Sequence, residues 1–225
     1  MTGNKVVFLL SYVVCSLFSD NLAAKTEKQS SDLTEQEVAE FRESVRQKYD
    51  LSETRYPAVL VKDVLGKLNR YNVVKLLQHW NNLSAKNRGK IIDAFQQAGF
   101  PSLVYLCFLE SGALPKQVGS HGEIGLYQIK PAIAKSSCRL SANDLYDPVK
   151  NAECAVKILK ARGAKENWLW ALVQYNGVRR GCPTRGYLAC LHEKFKKGNR
   201  AVIGSLYYSA KFLVYAELGR HYAAK

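Results

Sequence analysis

The side chains best suited to chemistry lie between positions 110 and 176. Glu110 closes the apolar run "LVYLCFL", so its carboxyl arrives at the C-terminal end of what reads as a buried helix. Two effects act on such a group with the same sign. Loss of water disfavours the ionised form, and so does the negative end of the helix dipole. A carboxyl that keeps its proton near neutral pH can donate it, which makes Glu110 a candidate general acid. Gln128 and Asn176 are uncharged amides able to donate and accept hydrogen bonds beside it, and Tyr175 is suited to bond Glu110 or hold a ligand.

The elements that must position these groups read as helices. Val61, Val64, Leu65 and Leu68 fall on one helix face after Pro57. Ser84 caps a further helix that stops at Gly99. Pro101 suits the first turn of the next, which is apolar nearly all round until Glu110 and ends at Gly112. "KPAIAKSS" reads as a short helix, "SANDLYDP" as loop, "NAECAVKILKARG" as an amphipathic helix and "ENWLWALVQYNG" as another. A long helix containing "SLYYSAKFLVYAELGRHY" closes the chain. Its Tyr207 or Tyr208, and Tyr187 before it, are further candidates for a cleft wall. Near the start, Thr34 and Glu37 form a capping box, and Val38, Phe41 and Val45 share one narrow face. That charge-dense segment, 25–56, reads as a solvated arm or peripheral helix outside the core. No period-2 stretch of any length appears. The expected class is mainly α, with at most a very small β ribbon near residues 115–125.

Counting from Glu110, Ser111 follows at once, then Pro115, Gly122, "GLYQ" at 125–128, Pro131 and Ala134. A second segment, "DPVKNAECAVKIL", sets Asn151, Ala155 and Leu159 in phase, and "ALVQYNGV" supplies Tyr175 and Asn176. In this order and spacing the chain resembles the soluble-type lytic transglycosylases, lysozyme-like enzymes that cut bacterial peptidoglycan. The resemblance spans roughly residues 101–178. It implies a lysozyme-like catalytic domain over 101–225, with a helical part, 57–100, packed on it. It implies Glu110 as the catalytic acid and then base. Ser111, Ser120, Glu123, Tyr127, Gln128, Tyr175 and Asn176 would meet the glycan strand. No metal or organic cofactor is implied. The product would be a 1,6-anhydromuramyl end, formed without water.

The departures are specific. Glu123 stands where the family has Ala, Tyr127 where it has Met, and Ile133 where it has Thr. Gly119 replaces a polar Ser, with Ser120 adjacent, and Gly177–Val178 replaces Ala-Gly. Most glycosidases use two carboxylates. If Glu123 faces the cleft, a hydrolytic muramidase of goose-lysozyme character is the alternative; otherwise Glu123 is solvated and pairs with Lys116 or Lys130. A third reading is a non-catalytic wall-binding or secretion-apparatus component.

Residues 1–24 show Lys5, an apolar run from Val6 to Phe18, and Ala23–Ala24, the anatomy of a secretory signal peptide. Leu22 or Asn21 makes the cleavage site imperfect, so an uncleaved anchor is the variant reading. Export to the periplasm or envelope makes disulfides available. Cys138 with Cys154, and Cys182 with Cys190, are the sequence-local pairs, and Cys107 reads as a buried free thiol. No CxxC or HxxxH spacing suggests zinc. The net charge of +14 fits an anionic polymer. Nucleic acid is disfavoured by export and by the lack of a nucleic-acid motif. Peptidoglycan strands are the expected partner, a monomer is the expected state, and a secretion or envelope complex is a second candidate partner.

Overall fold

Thr34 opens the first helix, α1 (Glu35–Lys48), through a reciprocal capping box. The Glu37 N–H donates to Thr34 Oγ1 at 3.2 Å and the Thr34 N–H to Glu37 Oε2 at 2.8 Å. The computed structural model describes residues 32–48, 58–176, 197–198 and 200–223. Residues 1–24, read from the sequence as a signal peptide, and Cys182, Tyr187 and Cys190 lie outside them. Three helices follow α1: α2 (Ala58–Lys67), α3 (Arg70–Asn81) and α4 (Ala85–Gln97). Asn69 caps α3 and Ser84 caps α4, each accepting from the N–H three residues on.

The segment expected as one helix ending at Glu110 divides. Residues Pro101–Tyr105 wind as a 3-10 turn, and only α5 (Leu106–Glu110) is α-helical. The Val104 carbonyl accepts from the Tyr127 hydroxyl at 2.8 Å, so this buried acceptor is satisfied without a full α-turn. Beyond α5 the chain makes a small ladder rather than strands. Val118 bridges Ile124, and Ile124 bridges Ile129. "KPAIAKSS" becomes one α-turn, Pro131–Ile133, and a π-turn, Ala134–Cys138, ended by Arg139 at φ 60°. The expected loop "SANDLYDP" carries a 3-10 turn, Asn143–Tyr146. Asp147 caps α6 (Pro148–Ala161), accepting from the N–H groups of Val149 and Lys150. α7 (Trp168–Tyr175) and α8 (Arg200–Tyr222) complete the described chain.

α8 packs on α1, α2, α3, α5, α7 and the 3-10 turn. Its residues are apolar on nearly every side, as a central helix requires. At Gly219 an added Cβ would strike the Tyr105 ring, so only glycine permits this approach. α4 packs on α6, and the disulfide Cys138–Cys154 (Cα–Cα 5.5 Å) ties the π-turn to α6. Cys107 is a fully buried free thiol. One buried apolar cluster runs from Leu33 to Ala223.

α1 is not the solvated arm its composition suggested. Val38, Phe41 and Val45 are at most 2% exposed and join that cluster. Phe41 meets the rings of His221 and Tyr222, and the Tyr222 hydroxyl donates to the Glu37 carbonyl. Glu217, buried on α8, pairs with Arg220 and with Lys48 at the end of α1. The architecture is mainly α with no strand among the described residues. No described helix is long and apolar enough to cross a membrane.

Candidate active site

α5 stops abruptly after Glu110. Gly112 and Ala113 take left-handed φ values of 64° and 62°, and the Gly112 carbonyl pairs with His79 Nδ1 at 2.8 Å. The turn leaves Glu110 on the wall of a groove of about 490 Å³. The opposing loop contributes Gly119, Ser120, His121, Glu123, Gln128 and Lys130, while α6 and α7 contribute Ile158, Gln174 and Tyr175, and the residues just after them Arg162 and Asn176.

Burial pushes the Glu110 carboxyl up to about 7, against a hydrogen bond from Tyr208 that favours its ionised form. The charge of Glu123 adds to the upward shift. Tyr208, on α8, donates its hydroxyl to Glu110 Oε1. Burial first, and then the Glu110 charge, hold that phenol well above its ordinary range, so it stays protonated and remains a donor.

Glu123 is a carboxylate of the opposite kind. Burial works to raise its pKa, but hydrogen bonds from its own N–H and that of His121, with Lys130 beside it, carry it below the usual range. The His121 N–H lies 3.0 Å from Oε2 and Lys130 Nζ 3.4 Å from Oε1. Of the two lysines expected to pair with it, Lys130 does. Gly119 makes this fit possible, since a Cβ there would lie 2.6 Å from both Glu123 Oε2 and Gln128 Oε1. Among the described residues no group of three His, Cys, Asp or Glu side chains is arranged to hold a metal.

The other sequence-derived candidates separate into two groups. Ser120, Gln128, Tyr175 and Asn176 do line the groove. Gln128 sits at φ 47° and gives its amide N–H groups to the Gln117 and Gly125 carbonyls, which shapes the loop. Tyr175 does not bond Glu110: its hydroxyl donates to the Tyr127 carbonyl at 2.6 Å, and Tyr208 takes the place expected of it. Ser111 and Tyr127 are corrections. Ser111 is buried and donates to the Leu126 carbonyl at 2.8 Å while accepting from the Leu114 N–H, so it ties α5 to the loop. Tyr127 is wholly buried against Phe95, with its hydroxyl on Val104, and no part of it reaches the groove.

Asn151 proves to be the joint of the site. Fully buried on α6, it accepts from the Tyr127 N–H and donates to the Ile124 and Leu145 carbonyls, each at 2.9 Å. Its spacing was visible in the sequence, but its three partners were not. Arg162, Gln174 and Lys130 were missed as groove residues. Arg162 follows the last turn of an amphipathic helix, where a cation suits the dipole and signals nothing more.

The mainly α fold thus sets one glutamate, its pKa raised by burial to about 7, in an open polar groove. Residues 96–181 match the family model described as Transglycosylase SLT domain, a stretch that holds Glu110, "GLYQ", Asn151 and the Tyr175–Asn176 pair. That stretch is similar to transglycosylase-type domains, which imply peptidoglycan as substrate. The match covers somewhat over a third of the chain. No curated protein and no solved structure matches.

Proposed function

We propose that the protein is a peptidoglycan lytic transglycosylase that cleaves the β-1,4 bond between N-acetylmuramic acid and N-acetylglucosamine. One observation carries this reading: a groove-lining glutamate retains its proton up to about pH 7. Glu110 protonates the glycosidic oxygen as the C1–O bond breaks. The 2-acetamido oxygen of the muramyl residue closes onto C1 and carries the positive charge. Ionised Glu110 then accepts the proton of the muramyl 6-hydroxyl, whose oxygen displaces the acetamide and forms the 1,6-anhydro ring. The acid is regenerated and no water is consumed. Tyr208 supports both halves, because its hydroxyl donates to the carboxylate formed in between.

Glu123 favours a second reading, hydrolysis. It lines the same groove and is ionised where Glu110 is protonated, the split expected of a base and an acid. Its oxygens are already engaged by the His121 N–H and Lys130, which disfavours activation of a water. Action outside the cytoplasm accords with the Cys138–Cys154 disulfide. The test is digestion of purified peptidoglycan and weighing of the released fragments. Anhydro ends, lighter by one water, support the first reading, and reducing ends the second. Release by Glu110→Gln at the wild-type rate would end both.

A further inference from the structure

Glu110 is followed by a turn that the backbone does not favour. Gly112 and Ala113 are both left-handed, at φ 64° and 62°, and Ala113 carries a Cβ that this conformation disfavours. Ala113 is also fully buried. Residues held this way persist only where their surroundings over-determine them. Two restraints are local: the Ala113 N–H donates to the Cys107 carbonyl at 3.0 Å, and the Leu114 N–H to Ser111 Oγ at 3.2 Å. A third comes from α3, 33 positions back in the chain, where His79 Nδ1 lies 2.8 Å from the Gly112 carbonyl oxygen. A carbonyl only accepts, so Nδ1 carries the proton and donates it. Leu76, one turn earlier on the same face of α3, lies against the same turn: a Cβ on Gly112 would stand 3.8 Å from Leu76 Cδ2. α3 is itself fixed to α5, because buried Trp80 packs edge-to-face with Phe108 at 5.9 Å. α5 has only five residues, so the place where it stops decides where Glu110 points. The acid is thus held at two points, its carboxyl by Tyr208 and the turn behind it by α3.

We propose that His79 is a positioning residue for Glu110: its Nδ1–H fixes the left-handed turn that stops α5, and so aims the carboxyl into the groove. His79 acts through the backbone of Gly112. The use of that carboxyl in turnover rests on the transglycosylase reading; its placement does not.

Three variants of the full chain separate the hydrogen bond from the bulk of the ring. His79→Phe keeps a ring and loses the donor. His79→Gln carries its amide nitrogen out to the place of Nε2. His79→Asn puts an amide nitrogen at the place of Nδ1 and can remake the bond. Each is checked for folding by circular dichroism and assayed below its melting transition. On peptidoglycan, His79→Phe and His79→Gln should lower kcat about tenfold with KM within about twofold, and His79→Asn should regain most of the loss. Titration of the Glu110 carboxyl, followed by carbon-13 NMR and assigned by its absence in Glu110→Gln, gives a readout that needs no turnover. A carboxyl freed to turn toward water should titrate lower by about half a pH unit or more in His79→Phe and His79→Gln, and near the wild-type point in His79→Asn. Equal effects in all three variants, wild-type kcat in His79→Phe, or a Glu110 titration that does not fall there, would overturn the proposal. If the titration falls and is rescued as expected but the wild-type chain releases nothing from peptidoglycan, the positioning stands and the catalytic reading falls.

Discussion

Replacing Glu110 with Gln should make the protein more stable, by an amount that grows from about pH 4.5 to about pH 7 and stays constant above it. The folded carboxyl titrates near 7 against an ordinary value of 4.5. A raised folded pKa means that the native state binds more protons than the unfolded chain between those values. Stability therefore falls as pH rises through that window. At about 1.4 kcal/mol per pKa unit, the shift corresponds to an upper bound of about 3 kcal/mol once Glu110 is fully ionised, with groove water screening part of it. The amide introduced by Glu110→Gln has no charge to desolvate, and its oxygen can still accept from Tyr208. At pH 4, below the ordinary value of 4.5, the two proteins should unfold at nearly the same denaturant concentration. At pH 8.5 the variant should be more stable by about 1–3 kcal/mol, or roughly 2–12 °C in melting temperature for a chain of this size. Because only the difference between the two chains is read, titration of the other groups largely cancels. A difference that is the same at both pH values, or a wild type more stable than the variant at pH 8.5, would show that burial does not hold the proton on Glu110. The acid assignment would go with it.

Tyr208→Phe removes the hydrogen bond that favours ionised Glu110, so the alkaline limb of the activity profile should move up by about one pH unit while kcat falls at neutral pH. A pH–rate series on both proteins reads this directly. Asn151→Ala removes the partner of the Tyr127 N–H and of the Leu145 carbonyl and one of the two donors to the Ile124 carbonyl, which keeps the Ile129 N–H, and should cost about 2–4 kcal/mol in urea unfolding. Gly219→Ala drives a methyl into the Tyr105 ring and should cost about 1–3 kcal/mol, with activity lost in step because α8 also carries Tyr208. Glu123→Gln should leave anhydro ends as the product in mass spectra of digested peptidoglycan; a switch in product, or loss of reducing-end release, would favour hydrolysis.

What could be read from the chain divides by how far each residue's role reaches. Glu110 was legible because its sequence neighbourhood announces its surroundings: seven apolar residues before it mark a segment that folding will bury, and that burial raises its pKa. The Cys138–Cys154 pair was legible for the same reason. Ser111 looked like a site residue because it adjoins Glu110, yet the next position on a helix turns by about 100°, and here that points it into the loop joint. Tyr127 was misplaced because "GLYQ" has no periodicity to separate groove from core, and Leu126 and Tyr127 are both buried. Tyr207 and Tyr208 could not be ranked, since α8 is apolar on almost every side. Its packing turns Tyr208 to Glu110, and Tyr207 to Lys67 on α2. α1 misled most, and its reason is long-range. Three buried residues in a charged segment make a helix stable only if a partner covers them, and the partner is the end of α8, more than 170 positions away. The contact also matters for the site. By packing Phe41 on Tyr222 and pairing Lys48 with Glu217, α1 holds the far end of the helix whose nearer half presents Tyr208. A segment that reads as a solvated arm in the sequence is thereby part of what keeps the acid's hydrogen-bond donor in place.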